Sequence, residues 1–401
     1  MIDAEALVRD AAALVAVPSV TGDERAALER LGELAAALGL APQLHRHDLA
    51  ALRAHADHPG EETEREELWS LTVATGAHSP GGPRLALSGH VDVVPPGTAP
   101  WRHGGPWSGV VADGWLHGRG SADMKGGVVA ALHALAAARE APCDAVLVAV
   151  SGEEDGGLGA FAELQRDAAY DACIITEPTG WDVVCAQAGA LTFSGEVPGV
   201  AAHAAHRLEG VSAIDRYLPV HAALAAHERA LNADVEHPLM RALELPYPLV
   251  VGRLDAGEWA STVPDRLRFA GHAPVRVGEQ PAAARAALEA AVAAACPEAT
   301  VRWTGGQFAP GQTDHDAPVA RLTRAALAAE LGTAPAFAGV PWGADLRLWT
   351  ARGIPTVMAG TPGIERAHAA DECVRTDHLV TLARALTRVV EGFGDGFPAS
   401  P

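Results

Sequence analysis

Apolar residues fall along this chain in two rhythms. Within Leu85–Val94, and again in Ala145–Val150, Cys173–Thr176 and Ile354–Met358, short unbroken apolar runs are bounded by glycine, proline or charge. Such runs fit strands buried on both faces of a parallel sheet. Other stretches carry helical patterns: Asp3 to about Val15, Asp23 to near Gly39, the apolar KGGVVAALHALAAA after Met124, Ala317–Leu331, and about Asp377 to Glu391. Asp3 and Asp23 stand where helix-capping carboxylates belong. The mixture predicts an α/β fold around a mostly parallel central sheet.

From Ala190 the rhythm changes. LTFSGEVPG alternates as a strand and Glu209–Arg229 reads as a helix. Pro248–Leu254 and Arg266–Val277 follow as strands, Pro281–Ala295 as a helix and Thr300–Gly305 as a strand. This β-α-β-β-α-β order is the split-βαβ, ferredoxin-like sandwich. It reads as a domain at 189–310 inserted into a catalytic domain of residues 1–188 and 311–401. Two chain crossings, near Ala188 and Gly311, permit hinge motion. Free strand edges offer a homodimer contact through the insert. Asp48–Glu67 is charged and reads as a solvated surface insertion, with no ligand-orienting spacing among His47, His55 and His58. Trp101 and Trp107 in PPGTAPWRHGGPWSG read as cover for the core, and the tail DGFPASP as frayed.

Length agrees with two domains, since 401 residues exceed the ~250–300 that one core sustains. The net charge of −20 comes without a basic patch, so no nucleic-acid partner is expected. No apolar run approaches the ~20 residues of a membrane span and the N-terminus lacks a leader pattern, so no membrane association and a cytoplasmic location are expected. Five scattered cysteines without CxxC fit reduced, buried thiols. Lys125 is the only lysine, the other cations being arginines.

Chemistry gathers at the ends of the apolar runs. His90 and Asp92 leave the first run two residues apart and so point the same way in extended chain. Asp123 follows GRGSA, Glu153 and Glu154 lie in VAVSGEEDGGLGA, Glu177 in IITEPTG and His368 in GIERAHAADE. Each is placed at an element's edge. Two imidazoles with several carboxylates suit two zinc-like ions that share an anionic bridge.

The ordered motifs SGHVDVVPPG, GRGSADMKGG, SGEEDGGLGA, TEPT and AHAADE resemble the M20 metallopeptidase family, nearest its acetylornithine deacetylase and succinyl-diaminopimelate desuccinylase branch. The resemblance runs from VAVPSVTGDE at Val15–Glu24 to His368. It implies a zinc-peptidase-like catalytic domain carrying a lid and dimerisation domain. It further implies one metal ion on His90, Asp123 and Glu177, and a second on Asp123, Glu154 and His368, with Asp123 bridging. Zinc is the expected metal, cobalt and manganese accepting similar ligands. Asp92 would orient His90, Glu153 would be the general base, the Asp123–Met124 peptide would be cis, and His203 in GVAAHAAHRLEGVSAI would stabilise the oxyanion. Two positions depart from the family pattern: Ser261 stands where an Asn is usual, and Arg276 lies two residues beyond the usual substrate-binding Arg. Both are candidate substrate contacts.

The reaction implied is metal-dependent hydrolysis of the amide of an N-acyl-L-amino acid. A dipeptidase or carboxypeptidase would use the same metals and base on a dipeptide. A non-catalytic binding protein on a hydrolase scaffold would be expected to have lost the base or a ligand, and all six groups are present.

Overall fold

The computed structural model describes residues 1–76, 82–166 and 169–393. The tail expected to be frayed therefore lies outside the described residues. The larger sheet runs in the order Ala41–Arg46, Trp69–Ala74, Asp144–Val150, Arg84–His90, Ala172–Ile175, Thr356–Met358, Val183–Gln187 and Gly311–Gln312. Phe337–Val340 also pairs with Val183–Gln187. Its centre is parallel: Arg84–His90 lies between Asp144–Val150 and Ala172–Ile175, and Thr356–Met358 continues the parallel set. The flanks turn antiparallel. Every residue of Asp144–Val150 is buried, as its unbroken apolar run requires.

The strands at Ala41–Arg46 and Trp69–Ala74 carry no such run. APQLHR is polar, begins with a proline-bearing edge and alternates in exposure, so it announces itself only through its partner. The helix Lys125–Ala137 is apolar all round and buried along its first eleven residues. Ala4–Val15 and Thr376–Phe393 pack over it. Asp3 caps the first helix by accepting from the Glu5 and Ala6 amides. Asp23 does not cap the second. That helix begins at Arg25, and the Glu24 carboxylate at its cap position turns back to the Gly22 amide at 2.7 Å.

A second, four-stranded sheet runs Val250–Ala256, Arg266–Val275, Gly189–Pro198, Thr300–Phe308, with all neighbours antiparallel. The first strand in sequence sits inside, between the third and fourth, which is the split-βαβ arrangement. Ala213–Ala233 and Pro281–Ala295 pack on it around Phe193, Tyr217, Leu224, Phe269, Leu288 and Val292. The helix expected over Glu209–Arg229 is present but shifted to Ala213–Ala233. A 3₁₀ turn, Ala204–Glu209, ends at Gly210, and a helix capped by Ser212 starts at Ala213.

The charged stretch Asp48–Glu67 is solvated only in part: Asp48, His55, Asp57, Glu64 and Glu66 are exposed, while Leu52, Pro59 and Arg65 are buried. Asp48 caps a helix at Leu49–Arg53, and beyond it the chain threads between the two sheets. The Gln307 amide donates to the Pro59 carbonyl at 2.9 Å and Thr192 Oγ1 to Glu62 Oε1 at 3.0 Å, while the Arg65 side chain is 0% exposed. Glu61 there faces buried Arg65 at 3.7 Å, a contact that a charge pattern alone cannot distinguish from water. The five cysteines are free and buried. Among the described residues no helix is long and apolar enough to cross a membrane.

Candidate metal centre

The larger sheet's parallel strands end together, and the loops leaving them carry the candidate groups. His90 closes its strand at 2% side-chain exposure. Its Nδ1–H donates to the main-chain carbonyl of Asp92 at 2.9 Å, which aims Nε2 at the cluster. The Asp92 carboxylate approaches Nδ1 only to 3.6 Å. It accepts instead from the Glu153 and Glu154 amides, both at 3.1 Å, and from Thr21 Oγ1 at 3.2 Å. Asp92 thus orients His90 through its main chain and fixes the acidic turn with its side chain.

Asp123 ends the loop before the buried helix, and its peptide to Met124 is cis. Its two oxygens face different imidazoles: Oδ1 lies 3.3 Å from His90 Nε2 and Oδ2 3.5 Å from His368 Nε2. Glu177 Oε1 joins the His90 side at 3.7 Å, and Glu154 Oε2 the His368 side at 3.1 Å. Glu153 brings a carboxylate oxygen within 4.8 Å of ligand atoms of His90 and Glu177. Close packing holds these backbones: a Cβ at Gly127 would lie 2.5 Å from the Thr176 carbonyl, and one at Gly360 would lie 2.2 Å from that of Glu177. His368 reaches in from outside at 55% side-chain exposure. Its φ is +61°, a left-handed conformation that a non-glycine residue keeps only where its surroundings impose it.

Charge makes the chemical argument. Burial pushes the carboxyls of Glu153, Glu154 and Glu177 above their usual range. Burial opposes ionisation of Asp123 too, but hydrogen bonds to His368 and His90 hold it low. Burial would likewise lower His90, yet Asp123 and the surrounding carboxylates raise it well above the ordinary imidazole value. His368, hydrogen-bonded to Asp123 and Glu154, is pushed up to about 10. The three glutamates and two imidazoles around the ionised Asp123 therefore hold protons where divalent cations would relieve the same repulsion. The donor set fits borderline divalent metals.

One residue that motif reading passed over supports this cluster. Glu372, the last residue of AHAADE, accepts from the Ala122 and Asp123 amides at 3.0 and 3.1 Å and pairs with buried Arg119 at 2.6 Å. The only available signal was its place inside the motif. Lys125 is buried and donates to the Val17 carbonyl at 2.8 Å.

The groups on the second sheet are placed otherwise. His203 is exposed and accepts the Ala205 amide at 3.1 Å through Nδ1. Ser261 lies beside it, accepting the Ala204 amide at 2.9 Å through its carbonyl. Arg276 is turned to another task. Its guanidinium donates to the carbonyls of Ala230 and Leu231, at 3.0 and 2.6 Å, near the end of helix Ala213–Ala233. Carbonyls left open at a helix C-terminus attract such a cation.

A sheet that gathers two imidazoles and four carboxylates at one edge, with a ferredoxin-like unit beside it, fits a class: the hydrolases that work on amides through bound metal. Residues 86–392 match the profile of peptidase family M20/M25/M40, and the chain belongs to that family. It is a metal-dependent hydrolase of amide bonds. Succinyl-diaminopimelate desuccinylase of Methylobacterium sp. (strain 4-46) is 32% identical over 411 residues, covering 97% of this chain and 95% of the relative. Among solved structures, aminopeptidase PepT from Bacillus cereus ATCC 10987 superposes with a TM-score of 0.72 at 22% identity, over 97% of this chain and 98% of that one. The Bacillus subtilis YXEP protein, described as a dinuclear metal binding peptidase of family M20, gives a TM-score of 0.65 at 15% identity, over 98% of each chain.

Proposed function

We propose that this protein hydrolyses the amide bond of an N-acyl-L-amino acid, as a deacylase of the acetylornithine deacetylase and desuccinylase branch. The observation that carries the reading is Asp123, whose two oxygens address two imidazoles, each with a glutamate of its own. In this reading His90, Asp123 and Glu177 hold one divalent ion, and Asp123, Glu154 and His368 the other, with zinc the metal favoured by the donors. When bound, such ions supply Lewis-acid polarisation of a carbonyl and acidify water.

Glu153 is the group assigned to move the proton. It takes one from the attacking water and returns it to the amine nitrogen as the carbon–nitrogen bond breaks, leaving a carboxylate and a free amine. Asp92 holds the amides of Glu153 and Glu154, so the base is presented on a fixed turn. His203 is the assigned oxyanion donor, with Ser261 beside it as a substrate contact. Being exposed on the second sheet, His203 would have to reach the centre by closure or from a partner subunit. That assignment rests on residues 189–310 forming a lid and homodimer unit inserted between 1–188 and 311–401. A small-molecule substrate and a cytoplasmic location complete the proposal.

The test is metal analysis followed by turnover on N-acetylornithine, N-succinyl-diaminopimelate, other N-acyl amino acids and dipeptides. Two ions per chain with preference for an N-acyl amino acid support the reading. Preference for dipeptides would reassign the enzyme to the peptidases, and zinc-reconstituted protein inert on the whole panel would remove it.

A further inference from the structure

The turn that carries Glu153 and Glu154 is anchored by one residue that no motif marks. Arg65 arrives on the chain threading between the sheets, with its side chain fully buried. Its guanidinium donates to both oxygens of Asp155, at 2.8 and 2.7 Å. It also faces Glu24 Oε1 at 3.5 Å and Glu61 Oε2 at 3.7 Å. The contact with the turn is close on the main chain too, since a Cβ at Gly152 would lie 2.6 Å from Arg65 Nη1. Asp155 Oδ2 additionally accepts the Thr63 amide at 2.9 Å.

The turn from Ser151 to Gly157 therefore has anchors of three kinds. Asp92 holds the amides of Glu153 and Glu154, and Arg347 donates to the Gly156 carbonyl at 2.7 Å. Neither fixes how the turn lies against the segment beside it. Arg65 does this through Asp155, the residue directly after the two glutamates. Nη2 alone makes both contacts with Asp155 while Nη1 faces Glu24 and Nε faces Glu61, so the planar group is held in angle by three carboxylates, which a point charge would not be. Burial strengthens the constraint, because an Asp155 turned away would leave the arginine's charge short of partners in a dry site.

We propose that Arg65 is a positioning residue of this enzyme, acting through Asp155 to hold Glu153 and Glu154 at their working orientation toward the metal centre. The inference rests on the proposed roles of Glu153 as proton carrier and Glu154 as metal ligand, and its test keeps the two questions apart.

Arg65→Met, Asp155→Asn and the double variant are prepared as metal-loaded enzymes, with Arg65→Lys as the conservative control. Each single variant is expected to keep two ions and a nearly unchanged KM while kcat falls about 10- to 100-fold, the usual effect of removing an outer-shell partner. The double variant falls no further than the worse single, because both remove the same contact. Arg65→Lys, with charge but no fork, falls between wild type and Arg65→Met. In cobalt-loaded protein the visible absorption bands of Arg65→Met and Asp155→Asn shift in the same direction, since Glu154 moves with the turn, and Glu154→Gln supplies the reference shift.

The proposal is overturned if kcat stays at the wild-type value in both singles, if their losses multiply in the double, or if the cobalt bands stay fixed. Should Arg65→Met fail to fold, Asp155→Asn and Arg65→Lys carry the test, for in both the buried cation keeps Glu24. If wild-type enzyme hydrolyses nothing on the substrate panel, the proposed function fails and the cobalt spectrum alone decides the positioning question.

Discussion

The two sheets carry their candidate chemistry in opposite ways. At the larger sheet, His90, Asp123, Glu153 and Glu177 are buried at strand ends and turns and Glu154 is part-buried; His90 faces Asp123 and Glu177 at 3.3 and 3.7 Å, and Glu154 faces half-exposed His368 at 3.1 Å. Beside the smaller sheet, His203 is exposed, Ser261 is half-buried, and Arg276 is occupied with helix carbonyls. The first group is assembled by backbone topology, whose cost is met when the chain folds. In the proposed reading the second acts only after a motion or an association, so its contribution there belongs to the rate of turnover and not to the resting site. The comparison predicts that substitutions of the proposed metal ligands in the first group change metal content, whereas those of Glu153 and of the second group leave it alone.

Asp123→Ala presses hardest on that division. With the shared carboxylate gone, His90 and His368 lose the group that faces both, and both ions should leave together, taking activity to background. Metal analysis after zinc reconstitution checks this. One ion retained at full occupancy would mean that the two sides of the centre do not depend on a shared bridge. Glu153→Gln comes next: metal content is expected to persist while kcat falls ~10²–10⁴-fold, the contribution typical of a positioned acid–base group. Loss of an ion in that variant would make Glu153 a ligand, consistent with its reach to His90 and Glu177.

His203→Ala tests the other side. Both ions should remain and kcat should drop ~10²–10³-fold, as when one oxyanion donor is removed. If the imidazole acts across a dimer interface, mixing His203→Ala with Glu153→Gln restores activity, because a hybrid dimer holds one site with both groups. Hybrids that form and stay inactive would place His203 within its own chain or outside the reaction.

Proton competition separates the regions more gently. In the metal-free centre His368 is pushed up to about 10, and the carboxyls of Glu153, Glu154 and Glu177 are raised by burial. Ions must displace protons from these groups, so apparent metal affinity should rise with pH until His368 deprotonates unaided. The slope is about tenfold per pH unit for each proton displaced. Titration calorimetry in buffers of different ionisation enthalpy counts the protons. An affinity flat from pH 6 to 9 would mean that the ligands are already free.

How much of this was legible in the sequence follows from the same physics. The strands of the parallel centre and the Asp3 cap leave local signatures, because burial on both faces demands an apolar run and a helix start demands an acceptor. The βαββαβ order of the insert was legible for the same reason. His90, Asp123, Glu154, Glu177 and His368 could be singled out since each follows an apolar run or a glycine-rich turn. Arg65 could not, because an arginine among acidic residues reads as solvated surface until a second segment is seen to bury it. Asp92 was half legible: its spacing pointed to His90, while its hold on the Glu153 and Glu154 amides depends on a turn sixty residues away. The strand Ala41–Arg46 was hidden by its polar edge composition.

Arg276 offers the smallest effect and a clean discrimination. As a substrate contact it would raise KM for anionic substrates when removed, with folding stability untouched. The structure gives its guanidinium to the carbonyls of Ala230 and Leu231 and its amide to Glu279. Arg276→Ala should therefore leave kcat and KM near wild type and lower stability by about 1 kcal/mol, the net worth of a typical intramolecular hydrogen bond. In the smaller unit that loss shows as a lower midpoint for whichever transition unfolds residues 189–310, readable by calorimetry beside a kinetic assay. A raised KM at an unchanged midpoint would return Arg276 to the substrate and require the helix end to release it during turnover.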